Sequence, residues 1–255
     1  MMPSKTGYWC NLASFAALMA ANLATTALPF GVRRTGELRD GLHALLTPAG
    51  YTFSIWLLIY GLLTGWVLYP LLRPAREPFS VPPMPVRFLL TCLLSIVRVM
   101  LGDHYPLLNL VILLLLVIVA ASMYRSTRQI LRPAAAEVWF VRLPFSLYFG
   151  WISVTALASI DTWVVQTRLL EGRLSGGPWQ IGLTLLLLAV GLAGACLVSF
   201  RWRDAIVPLT FAWGYGAIAA ETQLHRTVGF VSGAGALALI VYALWICFIR
   251  SYERD

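Results

Sequence analysis

The stretch TPAGYTFSIWLLIY, Thr47 to Tyr60, continues through GLLTGWVLYPLL to Leu72. Pro48 suits the first turn of a helix, where a missing N–H costs nothing. The run that follows is long enough to cross a bilayer, because about 20 apolar residues span about 30 Å of hydrocarbon. Thr52, Trp56, Tyr60 and Thr64 recur every four residues and so share one side of that helix. A span that faced only lipid would have no use for this stripe. The second span is therefore expected to form one wall of an internal, aromatic-lined cavity, with the other spans arranged around it.

Composition sets the class. The 255 residues are 59% hydrophobic and 12% charged, with a mean hydropathy of +0.77, whereas soluble domains carry about 25% charged residues. The chain reads as all-α, a polytopic helical membrane bundle forming a single integral membrane domain over residues 1–255. Its apolar runs are far longer than the ~10-residue alternating segments of an outer-membrane barrel. The net charge of +8 comes from eighteen Arg and one Lys against eleven acids. These residues sit between apolar runs, so they read as topology signals and contacts to anionic lipid, and no nucleic acid is expected as partner.

Hydropathy places eight transmembrane helices at 8–28, 50–72, 86–102, 106–124, 142–162, 179–200, 205–221 and 228–249. The first is read as a retained span and not a signal peptide, with Asn11, Ser14, Leu18 and Asn22 on or near one face. The third contains Arg98 and ends in the tight turn Gly102-Asp103-His104-Tyr105-Pro106. Twelve basic residues fall at the termini and in the even-numbered loops, and six on the other face. Both termini are expected in the cytoplasm, with the chain in a bacterial inner membrane. Trp9, Trp139, Trp163, Trp179 and Trp202 lie at span ends, where indole rings suit the headgroup level. Cys10, Cys92, Cys196 and Cys247 are widely spaced and read as small buried hydrophobes.

The fifth span, RLPFSLYFGWISVTALASIDTW, repeats the design of the second. Pro144 opens it, and Tyr148, Trp151, Thr155, Ser159 and Thr162 step along one face at three- and four-residue spacing. Hydroxyls at such positions often only bond between helices. The indole and phenol groups carry more weight, because they combine apolar area with a polar handle. Arg98, on a face with Thr91 and Ser95, is an ionisable group inside a span, with Glu221 or an anionic ligand group as its partner. His43, His104 and His225 lie in loops without ligand spacing, so no metal is expected. No nucleophile–base–acid order, nucleotide-binding glycine pattern or paired carboxylates occurs in the spans, and the chain is not expected to be an enzyme. The first loop, PFGVRRTGELRDGLHALLTP, stands above Pro48, Tyr51 and Trp56, as a lid or a solvated connector.

The second span resembles the P-x-G-[WY]-x-F…W-x-x-x-Y signature of the tryptophan-rich sensory protein / translocator protein (TspO/MBR) family. The run from Asn22-Leu23-Ala24 to Gly31, with Thr35-Gly36-Glu37, and the fifth span resemble the longer TspO-like members of about 250 residues. That resemblance implies a five-helix TspO-like core with extra spans. It also implies binding of a tetrapyrrole or sterol-like lipid and assembly as a homodimer; no covalent cofactor is expected, and a larger membrane complex is the alternative assembly. By matching position, Pro48, Tyr51, Phe53, Trp56 and Tyr60 would be pocket residues. The expected function is a receptor or carrier holding a planar hydrophobic ligand between the second, fifth and seventh spans. Trp56, Tyr60, Tyr148, Trp151 and Trp213 would stack on it, and Arg98 would pair with a carboxylate. The alternatives are a secondary transporter of a small organic solute, or a structural, pigment-associated subunit of a membrane complex.

Overall fold

Ala49 is extended, and its carbonyl accepts from both the Thr52 N–H (3.0 Å) and the Thr52 hydroxyl (2.5 Å), which winds Gly50–Ser54 into a 3-10 turn. Helix α2 (Ile55–Leu72) starts only after that turn. Thr52 is therefore out of α-helical register with Trp56, and the four-residue stripe read from the sequence begins at Trp56.

The chain is seen here in a computed structural model that describes residues 5–27, 45–46, 48–72, 84–101, 105–130, 133–167, 178–221 and 225–252. The first loop through His43, the Pro-rich connection at 73–83 and the Gly102–His104 part of the tight turn lie outside the described residues. Besides α2, the helices are α1 (Lys5–Ala27), α3 (Pro85–Leu101), α4 (Pro106–Arg128), α5 (Ala135–Gln166), α6 (Pro178–Trp202), α7 (Ile206–Glu221) and α8 (Arg226–Tyr252). There is no strand among the described residues.

Each expected span thus has its helix. Five of the eight are long and apolar enough to cross a membrane: the segment Gly50–Pro70, α4, α5, α6 and Arg226–Phe248 of α8. Helices α3 and α7, at 17 and 16 residues, are short, and α1 carries Asn11, Ser14 and Asn22 along its apolar run.

Cα packing divides the chain into two compact units. The first holds Met1–Arg33 and Trp56–Phe149. In it α1 packs on α3, and α3 on α4. Phe88, Thr91 and Cys92 of α3 point inward, while Leu90, Leu93, Val97 and Met100 are exposed on its other side. The core is aromatic. Trp66 meets Phe88 and Phe145 edge-on, at 4.7 and 5.0 Å between ring centroids, and Phe15 lies 6.2 Å from Phe88. At the start of α5 the buried Glu137 carboxylate accepts the Ala134 N–H (3.0 Å). A π-helical turn, Val138–Arg142, follows. Arginines tie this end together. Arg87 donates to Ser126 Oγ (2.7 Å), Arg142 to the Ile130 carbonyl (2.5 Å) and Arg128 to Ser146 Oγ, and Arg128 also lies over the Tyr124 ring.

The second unit holds Arg34–Ile55 and Gly150–Asp255. Its helices α6, α7 and α8 all pack on one another. The turn between α6 and α7 is sharp: Arg203 takes the left-handed conformation (φ 49°), and Asp204 Oδ1 accepts the Ile206 N–H (3.0 Å). Tyr215 stands at the centre and donates to the Leu188 carbonyl (2.6 Å). Gly191 has no side chain because Tyr215 Oη occupies the place of its Cβ, with Leu157 Cδ1 also only 2.6 Å from that position. The outer face of α8 exposes Phe230, Leu237, Val241, Leu244 and Phe248, as a lipid-facing helix does. Cys247 is exposed on α8, a correction to the expectation that all four thiols are buried; Cys92 alone is fully so.

Gly191→Ala is expected to cost about 1–3 kcal/mol by overpacking, read as a fall of several degrees in the melting temperature in mild detergent. Tyr215→Phe in that background should recover part of the loss, because it removes the hydroxyl that the new methyl strikes.

Candidate functional site

Trp56 and Tyr60 are one helical turn apart on α2, and their rings stack, with centroids 5.1 Å apart and planes inclined by 27°. Tyr148 of α5 meets Trp56 edge-on at 6.4 Å, and Phe15 of α1 meets Tyr60 at 6.5 Å. These rings border a small cavity in the first unit, about 10 Å³, or space for roughly one water. Leu18 of α1, Leu63 of α2, Met123 of α4 and Phe145 of α5 supply its apolar wall, and α3 adds Phe88, Thr91, Cys92 and Ser95.

Several polar groups border the cavity or lie near it. Tyr60 hydrogen-bonds the Asn22 side chain. The Tyr148 side chain is 4% exposed, yet its hydroxyl has no partner within hydrogen-bond geometry, although Ser95 faces it. Arg98, one turn beyond Ser95 on α3, is close enough for its charge to act on both phenols. A buried hydroxyl without a partner is costly, at about 1–3 kcal/mol. By contrast, Thr64, Thr91, Thr155 and Thr162 each donate to a carbonyl three or four residues back in their own helix. Their hydroxyls are spent locally.

Of the nine residues singled out from the sequence, Trp56, Tyr60 and Tyr148 line the cavity, with Arg98 beside it. The other five belong to the second unit. There Pro48 is half-buried, Tyr51 and Phe53 are exposed, and Tyr51 meets Trp213 edge-on at 5.5 Å. Trp213 Nε1 donates to the Thr52 carbonyl (3.4 Å). Trp151 is fully buried, with its Nε1 lacking a partner. The cavity draws on α1, α3 and α4 together with α2 and α5, where the sequence pointed to the second, fifth and seventh spans.

Sequence reasoning passed over two features. Phe88 and Cys92 stand four residues apart on α3, a pair visible beside the face of Ser95 and Arg98. Asp161, a carboxylate within the apolar fifth span, was equally visible; it is fully buried and bonded in the second unit. Among the described residues no group of three or more His, Cys, Asp or Glu could hold a metal ion; His225 is described, and His43 and His104 lie outside.

An all-helical chain with five apolar helices of membrane-crossing length is an integral membrane protein, here with an aromatic cluster closed between its helices. The family model described as TSPO-like protein matches residues 8–245, and the chain belongs to that family. No curated protein and no solved structure matches the chain.

Tyr148→Phe is expected to leave the melting temperature in detergent unchanged or raise it slightly, because it deletes a buried hydroxyl that has no bond to lose. A loss of several degrees would show that the hydroxyl is already bonded in the ligand-free protein.

Proposed function

We propose that the protein is a non-enzymatic, TspO-type membrane receptor or carrier whose ligand occupies the cavity bordered by Trp56, Tyr60 and Tyr148. The ligand is flat and hydrophobic with one polar or anionic end, as in a tetrapyrrole or a sterol-like lipid. The observation that supports this reading is the buried Tyr148 hydroxyl, which closes no bond of good geometry, with Ser95 facing it, the Arg98 charge within reach and aromatic rings lining the same cavity. Most ligand pockets are built this way, mainly apolar with a few convergent polar groups that fix orientation. The site is closed as it stands. A planar ligand enters when the Trp56–Tyr60 stack parts, and its ring takes over the stacking that the two side chains give each other. The proposed location is a bacterial inner membrane, and the distribution of arginine supports cytoplasmic termini.

Absorbance titration of the detergent-purified protein with protoporphyrin IX tests this. Saturable binding is expected, with Trp56→Leu weakening it about tenfold or more, the scale of losing a buried aromatic anchor. Tyr148→Phe should weaken it by about twofold to tenfold, the range of one net hydrogen bond. Binding that neither substitution weakens would overturn this site.

A further inference from the structure

Arginines of three helices in the first unit converge on the C-terminal end of α4. Arg87, in the first turn of α3, donates through Nη1 to Ser126 Oγ (2.7 Å) and to the Ser122 carbonyl (3.4 Å). Arg142 of α5 donates to the Ile130 carbonyl, just past the end of α4, and Arg128 of α4 reaches Ser146 of α5. Arg125 stands next to Ser126 in the last turn of α4. The unit sets little negative charge against this cluster. Among its described residues Glu137 is the only acid, and it is buried and bonded to the Ala134 N–H. The C-terminus of α4 contributes only about half an elementary charge.

Arg128 and Arg142 are half-buried between helices, whereas Arg87 and Arg125 are exposed. A guanidinium carries five N–H donors in a rigid fork. Both bonds of Arg87 leave from Nη1, which fixes its plane and keeps Nε and Nη2 for an acceptor outside the protein. Apolar strips continue from both arginines. Counting back from Arg125, Ile118 and Leu114 lie two and three turns away on the same side of α4, and both are exposed. On α3, Leu90, Leu93 and Val97 are exposed beyond Arg87. Trp139, 60% exposed in the first turns of α5, suits the headgroup level at this same end.

We propose that Arg87 and Arg125 form a binding site for the phosphate of a phospholipid whose headgroup is net negative, with its acyl chains lying along the exposed strips of α3 and α4. The arginine fork matches phosphate oxygens, and two such forks suit one phosphate. A zwitterionic headgroup brings its own cation into an arginine cluster and is repelled there; an anionic one is not. Free phosphate would make no use of the apolar strips. Neither arginine lines the aromatic cavity, so this site stands independently of any ligand bound there.

The test uses the full chain in detergent micelles holding equal amounts of phosphatidylglycerol and phosphatidylcholine, with the lipid retained on the protein counted by native mass spectrometry. The native chain should keep phosphatidylglycerol over phosphatidylcholine by about tenfold or more. Arg87→Gln and Arg125→Gln should each lower that retention about fivefold, the scale of one arginine at an anionic lipid surface. Arg125→Gln changes only an exposed side chain, which keeps the site decidable if loss of the Ser126 bond impairs folding of Arg87→Gln. Arg201→Gln, which removes an exposed arginine from the second unit, should leave retention unchanged. Equal retention of the two lipids, or an equal loss with Arg201→Gln, overturns the site. Displacement of phosphatidylglycerol by inorganic phosphate overturns the assignment to lipid.

Discussion

Trp66 touches Phe88 and Phe145 by its edges, and that cluster sets the distance between α2, α3 and α5. Helices inside a bilayer gain little from the hydrophobic effect on meeting one another, since lipid tails are as apolar as leucine. What remains is shape: edge-on rings and bare glycines that fix how near two backbones come. In the first unit wide rings keep α2, α3 and α5 apart, and a small space is left one turn from Trp66. In the second unit Gly191 does the opposite and lets the Tyr215 hydroxyl reach the backbone of α6. The same rule leaves a gap in one place and closes it in the other.

Within that frame the polar groups sort themselves by whether their own helix can satisfy them. Serine and threonine hydroxyls are short and fold back on a carbonyl of the preceding turn, as Thr91 and Thr162 do. A tyrosine hydroxyl is too far from its own backbone and depends on a neighbour. Tyr215 finds the Leu188 carbonyl, Tyr242 the Cys196 carbonyl and Tyr60 the Asn22 side chain. Tyr148 finds none. It borders a cavity and lies within reach of the charge of Arg98.

The sequence was legible wherever a single helix decides the outcome. Hydropathy located the eight helices found among the described residues, and the four-residue step from Trp56 to Tyr60 put both rings on one side, where they stack. It was much less legible where two helices must meet. Tyr148 and Trp151 were read as one stripe, but three residues turn a helix by about 300°, leaving the pair about 60° apart. Tyr148 belongs to the first unit and Trp151 is buried in the second. Thr52 was placed on the α2 stripe because a 3-10 turn and an α-helix look alike in a string of letters. The bond from the Leu46 N–H to the Asp161 carboxylate was beyond reach for a different reason: backbone amides are the same at every position and leave no trace in composition. Glu221, considered as a partner for Arg98, is an exposed residue at the end of α7 in the second unit.

The π-helical turn at Val138–Arg142 bears on more than local geometry. In a π-helical turn each N–H bonds five residues back instead of four, and the wider turn rotates Phe140 and Phe145 toward a common side of α5. Both then address α2: Phe140 stacks on Tyr69 and fills the room left by Gly65, and Phe145 takes the edge of Trp66. In an uninterrupted α-helix these two rings would diverge by about 140°, and one of them would be turned toward lipid. The extra residue works as a phase adjustment, letting a single helix keep one partner along its length while its amino-acid pattern slips by a step.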